Sequence, residues 1–147
     1  MASFSGAHRT PAGTNLTILA LESAAAAVGK IHQVIIGSDA TPADIATRFN
    51  MIRHTVAGAA GTAVVTKATD PQSPASSCTL RGGTMTEPTY EASFLEEFPL
   101  NQRATFTWNA NPGRELRTLV GTAGGIGLRS ISSGGTPNIG ATFHWDE

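Results

Sequence analysis

Charge is scarce in this chain. Lys, Arg, Asp and Glu together make up 14% of its 147 residues, against roughly a quarter in an ordinary globular domain. The ten basic and eleven acidic residues leave a net charge of −1. Nucleic-acid binding needs Lys and Arg gathered into a patch that neutralises phosphates. Here the basic residues are scattered, and their closest group, Arg114 and Arg117 around Glu115, reads as a solvated strand edge. Cysteine is almost missing: Cys78 stands alone, which excludes an intramolecular disulfide. No histidine lies near it in sequence, so it reads as a buried or incidental thiol rather than a nucleophile. Long apolar runs are missing too. The longest, Ile18 to Val28, is broken by Glu22 and Ser23 and is too short to span a membrane. Met1 to Pro11 is polar and glycine-containing, without the charged start and apolar run of a signal peptide.

Catalytic and metal-binding patterns are equally wanting. The histidines His8, His32, His54 and His144 fall in no HExxH or Cys/His ligand spacing. Alternation turns His144 outward from Phe143 and Trp145, as a surface imidazole. Glu96 and Glu97 are adjacent, and adjacent strand residues point to opposite faces, so the two carboxylates cannot serve one centre. No serine sits in a GxSxG elbow. The glycine-rich runs 121–127 and 132–135 have strands on both sides and no Lys after them. A phosphate loop needs a following helix and a Lys, so these runs read as turns and bulges that let strands bend. No cofactor, metal or enzymatic activity is expected.

What is present is a β pattern. Gly and Pro punctuate short segments rich in Thr, Val, Ile and aromatics. Strands are expected at Leu16–Leu21, Lys30–Ile36, Ile45–Val56, Thr62–Ala68, Thr89–Phe98, Ala104–Asn109, Glu115–Val120, Ile126–Ile131 and Gly140–Asp146. Two of them nearly repeat: Ala-Thr-Phe-Thr-Trp at 104–108 and Ala-Thr-Phe-His-Trp at 141–145. Period-2 alternation puts Phe106 with Trp108 on one face and Phe143 with Trp145 on another, so these aromatics should supply much of the core. Residues 45–56 admit two readings. Thr41-Pro42-Ala43-Asp44 resembles a helix start, and Ile45, Phe49, Ile52 and Val56 follow at helical spacing. The β-branched and aromatic content favours a strand, with 57–61 as the turn of a hairpin returning through Thr62–Thr66. Asp70 to Pro88 reads as a long surface loop. Residues 1–15 lack periodicity and read as an extended N-terminal arm ahead of a single domain at 16–147. The expected fold is an all-β antiparallel sandwich of jelly-roll type.

From Lys30 onward the chain resembles a group of small virion proteins of tailed bacteriophages. The likeness lies in Gly37-Ser-Asp-Ala-Thr-Pro-Ala-Asp44, Ala57–Thr66 leading to Asp70-Pro71, Glu87-Pro-Thr-Tyr90, Leu100-Asn-Gln-Arg-Ala-Thr-Phe-Thr-Trp108, Pro112-Gly-Arg-Glu-Leu116 and Ala141–Glu147. Its most specific block is Asn101–Phe106, and it breaks down between Pro74 and Thr86. The resemblance implies a jelly-roll sandwich on the virion surface, made in the host cytoplasm; the scattered basic residues and broken apolar run lead us to expect no nucleic-acid or membrane partner. The leading expectation is a capsid decoration (cement) protein, a homotrimer bound to the major capsid protein across capsomer junctions. A surface with few charges costs little to desolvate, as permanent contact requires. Phe4, His8 and Arg9 of the arm are the candidate contacts with the shell or an adjacent subunit. The alternative is a tail-fibre or spike head that binds a receptor or carbohydrate. Exposed aromatics would favour it, whereas burial is expected for Trp108 and Trp145.

Overall fold

A computed structural model describes every residue except 40, 60, 122, 123, 133, 134 and 136. The glycine-rich turns expected at 121–127 and 132–135, and the turn at 57–61, therefore lie partly outside the described residues. Among the described residues twelve strands follow in chain order: β1 (Ser3–Pro11), β2 (Leu16–Glu22), β3 (Lys30–Ser38), β4 (Ala46–Val56), β5 (Thr62–Val64), β6 (Lys67–Ala68), β7 (Thr79–Gly82), β8 (Thr89–Asn101), β9 (Phe106–Asn109), β10 (Leu116–Arg117), β11 (Gly125–Ser132) and β12 (Asn138–Asp146). Sheet A runs β10-β3-β12-β1-β6, with β9 beside β10 along the same edge of β3, and sheet B runs β5-β7-β2-β11-β4-β8. The pairing is antiparallel and nested: β1 with β12, β2 with β11, β3 with β10 and β9, β4 with β8. The chain is an antiparallel β-sandwich.

Alternation builds the core. Along β12, Ile139, Ala141, Phe143 and Trp145 are buried and the residues between them are not. They meet Phe4 from β1, Ile31, Val34 and Ile36 from β3, and the apolar residues of β2, β4, β7 and β11. Of the two repeated aromatic segments, only 141–145 buries both its aromatics fully. Phe106 and Trp108 pair with Ile36 and Val34 at the sheet edge and stay half-buried.

Residues 46–56 form a strand, not a helix. Phe49 and Met51 face the core, while Asn50, Ile52 and His54 are buried on the other face. Burial on both sides explains why the apolar spacing also fitted a helix. The hairpin expected after it does not form. β4 is already flanked by β11 and β8, so the returning segment splits, with β5 joining β7 in sheet B and β6 joining β1 in sheet A. Of the strand expected at Glu115–Val120, only Leu116–Arg117 pairs.

The arm expected at 1–15 is also corrected. Ser3–Pro11 is an interior strand of sheet A, registered along its whole length with β12. Phe4, Gly6, His8 and Thr10 alternate toward sheet B. A Cβ at Gly6 would lie 2.3 Å from Leu80 Cδ2, so a glycine sits where the opposing leucine fills the space. The small and polar inward residues conceal this strand from any search for apolar alternation.

The expected loop 70–88 contains β7, and from there the chain must cross from one side of sheet B to β8 on the other. Residues 83–88 do so over the outer face, as a strap. Glu87 accepts hydrogen bonds from Thr17 N (2.9 Å) and Thr17 Oγ1 (2.6 Å), and Tyr90 Oη lies 2.6 Å from the same hydroxyl. Arg129 rests over the Tyr90 ring at 5.0 Å. Gly127 makes room beneath, because a Cβ there would lie 2.2 Å from the Tyr90 hydroxyl. Part of the glycine-rich run thus serves close packing within β11 rather than a turn.

Glu147 ties the segment before β7 to the end of β12. Its Oε1 accepts from Ser76 Oγ (2.5 Å), Cys78 N (3.1 Å) and Trp145 Nε1 (3.0 Å), and its Oε2 from Ser77 N (2.8 Å). Burial alone would raise this carboxyl's pKa, but the four donors outweigh it and hold it below the ordinary value. Burial, with the Glu147 charge added, pushes the Cys78 thiol up to about 12, so Cys78 stays protonated and inert at neutral pH. Because the folded carboxyl is the stronger acid, its contribution is fully present above the unfolded value of 4.5 and is lost as pH falls through the folded one. Glu147→Gln should cost on the order of 1 kcal/mol above pH 5, allowing for solvent screening. The deficit should shrink toward pH 3 in urea titrations. A pH-independent deficit would assign the role to packing instead.

Candidate functional site

Residues paired across strands share a face, so the register lays out the outer surface of sheet A in rows. One row is Ala7, Thr142, Ile35 and Thr107; the next, on one side, is Ser5, His144, Gln33 and Asn109. On the other side lie Arg9, Gly140 and Gly37. The last row has two adjacent positions without side chains. The result is a groove of about 670 Å³ whose lining includes Arg9, Ile35, Gly37, Thr105, Gly140 and Thr142.

This face is short of charge at its centre. Lys67 sits at the β6 edge, and Asp146, Lys30 and Arg117 form the terminal row. Arg9 is the charged residue within the central rows, and it pairs with Asp39 at 3.2 Å. His32 and His144 stack on this face with ring centroids 6.3 Å apart. Burial, and then the neighbouring His32, hold His144 below its ordinary pKa, which favours the neutral ring. A neutral, strand-flat surface with small side chains loses little hydration when covered.

The three residues expected to make contact part ways. Phe4 is excluded from contact: it is 2% exposed and stacked on Trp145 at 5.8 Å between centroids. His8 turns inward against Gly82, where a Cβ would lie 2.5 Å from its Cγ, and its Nδ1 lies 3.2 Å from Thr10 Oγ1. Arg9 projects from the outer face, and both it and His8 border the groove. Sequence reasoning missed the groove's other residues because they come from three strands. The available signal was alternation along β12, where Gly140, Thr142 and His144 are the complement of the core set.

Among the described residues no group of three or more His, Cys, Asp or Glu side chains could hold a metal ion, and no helix is long and apolar enough to cross a membrane. The fold and this face define a β-sandwich with one grooved sheet surface whose central rows hold little charge. No protein-family model matches the chain, and comparisons with curated proteins and with solved structures return no significant match.

Proposed function

We propose that this chain is a non-catalytic virion protein, a capsid decoration protein that lays the outer face of sheet A on the assembled major-capsid shell and bridges capsomers. The observation that carries this reading is the neutral face with its groove beside Arg9. The resemblance to tailed-phage virion proteins and the 14% charged content point the same way. The nested strand pairing fits the jelly-roll connectivity that the resemblance implies. Such a protein changes no bond; it adds contact area that must be broken before the shell opens. A standard interface buries about 1,600 Å² in total, and a trimer would multiply that contact through shared valency.

Purified protein should bind mature shells in hundreds of copies and raise their tolerance of heat and low salt. Ala7→Glu, which places a charge at an exposed position in the central row, should fold normally and lose most of that effect. Shells equally stable with and without the protein would overturn the reading. A copy number of a dozen or fewer would favour a fibre or spike head.

A further inference from the structure

The two sheets close incompletely along one flank. There the edge strand of sheet B, β8, faces β9 at the edge of sheet A. Phe98 closes part of this seam by packing on Phe106 and Trp108, with ring centroids 5.1 and 6.5 Å apart. Two residues earlier on β8 stands Glu96. It pairs with Met51 as Phe98 pairs with Phe49, so its register position faces the core. An apolar residue there would seal the sandwich. Instead, Glu96 and the half-buried Trp108 border an open cleft of about 550 Å³, with Asn109, Asn111 and Arg114 around its rim.

We infer that this cleft is a binding site for a neutral glycan, adjoining the docking face at the β9 edge, where Asn109 borders both, and independent of the shell-binding reading. The volume falls in the range of small-ligand pockets, roughly 300–1,000 Å³. Trp108 offers an apolar aromatic surface, and a pyranose has an apolar C–H face to set against it. The sugar's hydroxyls need acceptors and donors together. Glu96 supplies the acceptor, and Arg114 and the Asn111 amide supply donors. The Asn109 Oδ1 already accepts from Gln33 Nε2 at 2.7 Å, which leaves its NH₂ group to donate. Among the described residues neither Glu96 nor Arg114 forms an ion pair within 4.0 Å, so neither charge is spent within the protein. The opposed signs disfavour an anion or a cation and suit an uncharged polyol.

A glycan array carrying neutral and charged glycans, probed with the intact protein and followed by titration of the best oligosaccharide, tests this. Trp145 is fully buried, so a ligand-induced change in tryptophan emission reports Trp108. Binding is expected, and Glu96→Gln and Arg114→Ala should each weaken it at least about tenfold. Trp108→Phe should weaken it less than Trp108→Ala. Asn111 and Arg114 are exposed loop residues, so Asn111→Ala and Arg114→Ala test the site without threatening the fold. Shell stabilisation by Arg114→Ala should match the parent protein. No neutral glycan bound at millimolar concentration, a preference for charged glycans, or affinity unchanged in Glu96→Gln and Arg114→Ala would each overturn the assignment.

Discussion

Deletion of residues 1–11 is expected to leave a chain that does not fold. An appendage could be removed at little cost, but β1 fills an interior position between β12 and β6. Its loss would strip β12 of a partner along nine registered residues and expose its edge. The same cut removes Phe4 from the Trp145 ring and from the buried cluster. Burying one such side chain is worth about 1.5–3 kcal/mol, and each ladder hydrogen bond contributes about 1 kcal/mol net. The total is of the same order as the roughly 5–15 kcal/mol by which domains are stable. Circular dichroism and a thermal melt of the truncated protein would decide the matter. A cooperative transition near that of the full chain would show the segment to be dispensable.

Trp145→Ala should be the most damaging single truncation, costing about 3–5 kcal/mol. The indole is fully buried, stacks on Phe4 and donates from Nε1 to Glu147 at 3.0 Å. The substitution therefore opens a large cavity and also removes one of the four donors that hold the carboxylate. For a domain of this size, the loss corresponds to a fall in Tm of roughly 6–20 °C. Trp108→Ala should cost clearly less, since its ring is half-buried at the seam. Calorimetry on the two variants would separate them, and equal losses would contradict the structure.

That contrast marks what the sequence could and could not disclose. Ala104–Trp108 and Ala141–Trp145 read alike because local alternation records only which side chains share a face. Whether that face is sealed depends on the strand's place in the sheet. β12 lies between β1 and β3, while β9 lies at an edge. The strands with large apolar residues at every second position were therefore legible, and so was the two-layer fold. β1 was not, because after Phe4 its inward positions hold Gly6, His8 and Thr10, small or polar residues, with Gly6 leaving room for Leu80 and Gly82 leaving room for the His8 ring. β7 was hidden within a proline-rich stretch, and its pairing with β2 is nearly 60 residues distant in sequence. The groove and the cleft lay further out of reach, since each joins residues from segments that only the register brings together. Of the contacts expected from the first residues, Arg9 alone lies on the candidate face, because alternation sends its neighbours Phe4 and His8 inward.

The nesting of the strands also governs how the molecule can come into being. During synthesis β1 emerges first, yet its main partner is β12, and β12 is also the strand that joins β1 to β3. Sheet A therefore has no continuous centre until residues 138–146 have left the ribosome. Until then Phe4, Ile31, Val34 and Ile36 have no Phe143 or Trp145 to pack against. Such long-range closure is slow, and incomplete chains expose unpaired strand edges. Scarce charge, which suits the finished surface to being covered, leaves those nascent edges with little electrostatic protection against one another.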